Sequence, residues 1–254
     1  MVSLIVKDKE SIILIGPKPP PYGGIVSYCR DIIDSHLNDV YEIILHNDNI
    51  PNRLRPKIQT SKNTFNIIRR DGFINTIKVL FFITKNYLSL LRKIFLTRPK
   101  IMHVLSTGGL GFYRNSLNIL IGKILGIKTI FHVLGQIDDL YNSSNIFFKR
   151  AITSLLNLSN VIVVQSPGLE NFLLHSANVK TKTANIFNGV DCEILNPNRQ
   201  VASSSNQTKT LEVVTLGYLG FQKGTFDIVK LADKCKNNKI NVIFKIIGGG
   251  QVDI

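Results

Sequence analysis

Acidic residues are almost missing from one long stretch of this chain. Between Arg53 and Lys100 stand twelve Lys and Arg and a single acid, Asp71, so eleven of the fourteen net positive charges fall there. One face of the protein is therefore expected to be strongly basic. Cysteine is scarce as well. Cys29, Cys192 and Cys235 are too few and too scattered for a disulfide framework or a CxxC metal cluster, and they fit a reducing compartment and ordinary packing roles. Long uncharged apolar runs are also missing: the stretch 73–96 never reaches about 18 residues without a charge, which makes it a poor membrane span. The N-terminal MVSLIVKDKE turns from a short apolar run to charges, so no secretory signal and no export are expected.

What is present suffices for a folded core. Hydrophobic residues make up 44% of the 254 positions and mean hydropathy is +0.13, which excludes general disorder. That length allows one large or two smaller domains. Runs rich in Ile and Val recur at 11–16, 41–46, 100–105, 128–134, 161–166, 183–187, 212–217 and 242–249. Helical patterns lie between most of them, at 24–37, 74–96, 114–125, 145–157, 168–175 and 225–236. Continuous apolar strands alternating with helices predict an α/β fold with parallel sheets covered on both faces.

The segment LNPNRQVASSSNQTKT, 195–210, has few apolar residues and reads as a linker or exposed loop. Six candidate strands precede it, enough for a complete doubly wound domain. Only strand, helix and strand follow, and a two-stranded βαβ unit cannot bury both faces of its sheet. The expected domains are therefore 1–190, a linker at 191–210, and 211–254 as the incomplete start of a second domain.

Within the basic stretch, Lys78, Lys85 and Arg92 recur every seven residues, which on a helix places them on one side near Phe81, Phe82, Leu88 and Phe95. Two readings are open: a helix lying on an anionic membrane surface, and a core-packed amphipathic helix with a solvated basic edge. A nucleic-acid surface is disfavoured, because no RNA- or DNA-binding motif accompanies the charge. A second feature is ILIGPKPPPYGGIVSYCRDII, 13–33. Pro19, Pro20 and Pro21 stiffen the chain after Gly16, and Gly23 and Gly24 then open a helix whose bare amides suit close approach by an anion. The alternative is a rigid strand-to-helix connection without a ligand.

Four stretches in order, GPKPPPYGGI, HVLSTGGLGFYRN with KTIFHVLGQIDDLY, NIFNGVDCEILNP, and TLGYLGFQKGTFD with FKIIGGG, together resemble bacterial glycosyltransferases of family 4, of GT-B type. The resemblance covers nearly the whole chain. It implies two Rossmann-like domains, the first complete with a parallel sheet and the second represented by its first βαβ part. It implies an acceptor held by the first and a nucleotide-diphosphate sugar held by the second, with no metal and no cofactor. Cationic side chains and backbone amides then stabilise the departing diphosphate. By the same resemblance Gly23, Gly24, Lys223 and Gly224 bind the donor and its phosphates, Tyr22 and Arg114 serve the acceptor, and His132 is the catalytic contact to the transferred sugar. From the residues alone, His132 also reads as a hydrogen-bonded core histidine, Lys223 as a surface lysine, Arg114 as a helix cap, and His103 as structural. Asp138 and Asp139 read as solvated residues near a helix start.

Two departures stand out. Tyr218 occupies a place where the family has an arginine, and the family's paired glutamates for the donor's sugar and ribose would lie beyond Ile254. Slow or absent turnover is expected of the chain as written. The function implied is a retaining hexosyltransferase of cell-surface polysaccharide biosynthesis. Its partners would be a nucleotide sugar, a lipid-linked or saccharide acceptor and an anionic membrane, with no nucleic acid, and its place the cytoplasmic, inner face of the cell membrane. The competing expectation is a truncated, inactive, membrane-associated remnant of such an enzyme.

Overall fold

The computed structural model describes residues 9–19, 23–51, 54, 73–106, 108–189, 210–217, 219–220 and 224–249. The chain divides into two compact units, Met1–Val190 and Asp191–Ile254. Most of the segment read as a linker, 191–209, lies outside the described residues, as do residues 55–72 of the basic stretch.

The first unit is an α/β domain. Its strands are β1 (Glu10–Gly16), β2 (Tyr41–Asn47), β3 (Ile101–Ser106), β4 (Lys128–Val133), β5 (Val161–Val164) and β6 (Lys182–Asn185). All neighbours are parallel, in the order β2-β1-β3-β4-β5-β6. The helices are α1 (Gly24–Ile33), α2 (Leu37–Val40), α3 (Phe73–Thr97), α4 (Leu110–Ile124), α5 (Ile137–Asn142), α6 (Ile146–Leu156) and α7 (Pro167–Asn171), the last continuing into a π-helical turn at Phe172–Ser176.

Side chains alternate across each strand, and the two faces are buried by different helices. Ile13, Ile15, Met102, Val104, Phe131, Val133, Ile162 and Val164 form the larger core with Leu90 and Ile94 of α3, Phe112 and Ile119 of α4, and Ile152 and Leu156 of α6. Leu14 and Leu105 face the other way, against Cys29 with Ile25, Tyr28, Ile32 and Ile33 of α1. This division follows from handedness: the crossover from β1 to β2 runs opposite to all later ones, so α1 lands on the second face.

Several boundaries differ from the sequence reading. The helix expected over 24–37 ends at Ile33, where the Ser35 hydroxyl donates to the Ile32 carbonyl and competes with continuation of the helix. A separate short turn, α2, then leads into β2. The helix expected at 114–125 begins at Leu110, because Gly109, at φ 61, turns the chain into it early. The short α5 is missing from the periodic pattern, since six residues are too few to show a 3.6-residue period, but Asp138 and Asp139, read as lying near a helix start, stand in its first turn.

The second unit pairs β7 (Leu211–Leu216) with β8 (Val242–Ile247) in parallel, connected through α8 (Thr225–Asn237). No residue of α8 is buried, and Val214, Leu216, Val229, Ile243 and Ile247 are all exposed. A single helix on a two-stranded sheet leaves such faces open.

Candidate active site at the carboxyl edge of the sheet

The strand order reverses direction between β1 and β3. In an open parallel sheet such a switch point leaves a crevice at the carboxyl ends of the strands, where ligands bind. Gly16, Asn47, Ser106 and Val133 end the first four strands at this edge. The helices α1 and α4 begin beside it, each with backbone N–H groups lacking intrahelical partners and with the positive end of its dipole. Gly23 has an extended backbone, φ 177, which any residue adopts, and a Cβ at Gly23 or Gly24 would meet nothing within 4 Å. Packing among the described residues does not require glycine at either position. What the two glycines provide is open space before the α1 amides.

His132 is the penultimate residue of β4, fully buried, on the face covered by α1. The Tyr28 ring of α1 meets it edge-on at 4.9 Å between centroids. Its Nδ1 lies 3.4 Å from His103 Nε2 of β3, while its own Nε2 is buried with no partner among the described residues. A buried polar group without a partner costs about 1–3 kcal/mol, so this is a site with unsatisfied hydrogen-bonding capacity. Burial pushes His132 down to about 4, and burial together with His132 pushes His103 down to about 3. Both rings are neutral at pH 7, so His132 acts there as a hydrogen-bonding group and not as a cation.

A second polar cluster surrounds Asp48, just after β2. The Arg114 guanidinium of α4 donates to Asp48 Oδ2 at 2.8 Å, with the two side chains only 22% and 6% exposed. Burial pushes the Asp48 carboxyl up, and the Arg114 charge and hydrogen bond oppose that. The Asp48 amide donates to the Gly16 carbonyl, and Asn47 Oδ1 accepts from the amides of Lys18 and Asn49, which pins the start of the proline loop. Helix α3 is hooked to the same edge: Asn86 bridges His46 and the Asn47 carbonyl, Tyr87 donates to the Arg114 carbonyl, and Lys93 donates to the Leu45 carbonyl. A cavity of about 10 Å³ lined by Asp48, Asn86, Tyr87, Arg114 and Asn118 has room for one water. The Arg114 charge is engaged by Asp48, and its buried Nε–H has no partner among the described residues.

Of the residues singled out in the sequence, Gly23, Gly24, His132 and Arg114 lie at the carboxyl edge of the first sheet. Gly224 lies in the second unit, in a left-handed turn at φ 69 where α8 begins, a conformation that favours glycine. Tyr22, Lys223 and Tyr218 lie outside the described residues. Lys78, Lys85 and Arg92 are all exposed on α3, on the side opposite the buried Leu90 and Ile94. Exposed Ile77, Phe81, Leu88 and Phe95 run beside them, with Phe81 71% exposed. Among the described residues no group of three His, Cys, Asp or Glu is placed to hold a metal, and no helix is long and apolar enough to cross a membrane. Tyr28, Asn47, Asp48 and Asn86 carried no sequence signal of their own. They matter through contacts with residues distant in the chain.

No family model matches the sequence, and neither does any curated protein sequence. Solved structures do match in fold. The sucrose-phosphate synthase of Thermosynechococcus elongatus is similar with a TM-score of 0.56 and 13% identity, over 97% of this chain and 64% of that one. UGT89C1 of Arabidopsis thaliana, solved with UDP-L-rhamnose, is similar with a TM-score of 0.48 and 11% identity, over 97% of this chain and 70% of that one. The chain thus spans just under two thirds of the length of the first of these. The fold, α/β with a parallel six-stranded sheet, is the one found in GT-B glycosyltransferases.

Proposed function

We infer that this chain carries the acceptor-side machinery of a GT-B glycosyltransferase resembling bacterial family 4. In this reading it moves a hexose, with retention, from a nucleotide-diphosphate sugar to a lipid-linked or saccharide acceptor in cell-surface polysaccharide biosynthesis. The observation that carries the reading is His132: fully buried at the end of β4, with an unpaired Nε2, against the helix that Gly23 and Gly24 open. The open α1 amides meet donor phosphate charge and His132 contacts the transferred sugar, while Lys223 and Gly224 are assigned to the donor phosphates by the resemblance alone. Arg114, and Tyr22, which precedes the glycine pair in the chain, serve the acceptor.

Incubation with radiolabelled nucleotide sugars and a membrane lipid extract should slowly label an extractable lipid. His132→Ala should lower the labelling rate by about 100-fold, the loss typical when one preorganised hydrogen-bond donor is removed from an active site. An unchanged rate in a folded His132→Ala protein would remove the catalytic assignment.

The exposed face of α3 supports attachment at an anionic membrane surface, because its apolar stripe and basic flank match the interfacial pattern. Each Lys or Arg near such a surface contributes about 1 kcal/mol. The protein should therefore bind anionic vesicles and be released by salt. Lys78→Ala combined with Lys85→Ala should weaken binding by roughly 30-fold, two such contributions at about tenfold per 1.4 kcal/mol. Equal binding to neutral and anionic vesicles in a sedimentation assay would contradict the attachment.

A further inference from the structure

The partly buried contact between His103 and His132 has a defined geometry. The two imidazole planes are within 10° of parallel, with centroids 5.6 Å apart. That separation is close to the 3.4 Å Nε2···Nδ1 distance plus the two ring radii, so the nitrogens lie near the line joining the centroids. The rings therefore meet edge to edge in a common plane and do not stack face to face. Such an arrangement is that of one N–H shared between two lone-pair directions, at the long end of hydrogen-bond distance. The perpendicular Tyr28 ring makes the other aromatic contact of His132.

Two neutral rings joined in this way have two proton arrangements. In one, His103 donates from Nε2 and His132 keeps its proton on Nε2. In the other, His132 donates from Nδ1 and its Nε2 is a bare lone pair. The tautomer of a histidine is set by the hydrogen bond that its other nitrogen makes. The Nε2–H form is the intrinsically preferred neutral tautomer, and only the first arrangement allows it in both rings.

We propose that His103 is a positioning residue: its Nε2–H donates to His132 Nδ1, fixing the His132 ring and holding its proton on Nε2, aimed as a donor for an acceptor oxygen of the bound sugar. The link to a sugar rests on the glycosyltransferase reading above; the proton arrangement does not. One residue thus supplies the hydrogen-bond donor. Another, two positions before the residue that pairs with it across the strands, Leu105, decides which atom carries the proton.

The test is a long-range proton–nitrogen correlation on ¹⁵N-histidine-labelled protein near neutral pH, with His132 assigned from the His132→Gln spectrum. The wild-type protein should show His132 as the Nε2–H tautomer alone. His103→Met, of similar bulk but without a donor, should release a mixture in which the Nδ1–H form is plainly populated. His103→Gln, whose side-chain amide can donate in the same direction, should restore the single tautomer. In the transfer assay His103→Met should lower kcat by about tenfold with little change in donor KM, and His103→Gln should recover most of it. A wild-type His132 protonated on Nδ1, or a tautomer indifferent to His103→Met, would overturn the proposal, and the wild-type measurement decides even if a variant fails to fold. A tautomer that follows His103, in a protein whose His132 signals do not move when a nucleotide sugar is added, would instead count against the glycosyltransferase reading and leave the positioning intact.

Discussion

Acidification from pH 7 to pH 5 is expected to lower the unfolding free energy of the first unit by about 3–4 kcal/mol, from two histidines whose folded pKa values lie far below the ordinary 6.5. Below pH 6.5 each of these rings takes up a proton in the unfolded chain, whereas in the folded protein His132 waits until about 4 and His103 until about 3. The unfolded state thus binds more protons throughout this window, and stability falls as pH falls. His46, also held down by burial, acts in the same direction. Asp48 acts oppositely, because burial holds its carboxyl above the ordinary 3.8, so the folded form takes up that proton first and offsets part of the loss. Denaturant unfolding at pH 7, 6 and 5 measures the slope. A midpoint that does not move over this range would show that the two rings are not held neutral.

Arg114→Met should be still more damaging. Removing one partner of a buried pair leaves the other charge uncompensated, at a cost of about 3–5 kcal/mol. For a unit of this size that is a fall of roughly 10 °C in Tm. The Asp48 side chain is only 6% exposed, too little for solvent to replace the guanidinium, so the carboxyl would be protonated or would draw water into the edge of the sheet. The double variant Asp48→Leu with Arg114→Met should recover most of the stability, because an apolar pair of similar bulk has no charge to desolvate. Thermal unfolding of the two single variants and the double variant closes the cycle. Additive losses would show that the pair is not coupled. If the stable double variant also loses sugar transfer, Arg114 serves the acceptor as well as the fold.

Both effects arise at the carboxyl edge of the same sheet and share a cause. Residues that would sit comfortably in water have been taken into the rim of a hydrophobic sheet, where each must be neutral or paired. Asp48 is paired. His132 is neutral and only half paired, and that difference supports the proposal that His132 meets the substrate while Asp48 supports the fold.

Local chemistry makes much of this protein legible in its sequence. Runs of Ile and Val such as those at 11–16 and 161–166 can be satisfied only by burial on both faces, so parallel strands and covering helices follow from the sequence alone. The spacing of Lys78, Lys85 and Arg92 is likewise sufficient to put them on one side of α3, because a helix repeats every 3.6 residues whatever it packs against. The early end of α1 and the extent of α5 are not legible, since hydroxyl competition at Ser35 and a six-residue helix leave no periodic trace, and only Asp138 and Asp139 hint at the start of α5. Nor is the make-up of the site. His103 and His132 are 29 residues apart, and Asp48 and Arg114 are 66 apart. Only the parallel register that sets Leu105 beside His132, and the packing of α3 and α4 over β1 and β3, brings them together. Protonation, pairing and burial are properties of those contacts, so the sequence could name His132 and Arg114 as candidates while tertiary structure alone decided that one is neutral with a free nitrogen and the other is tied to a buried carboxylate.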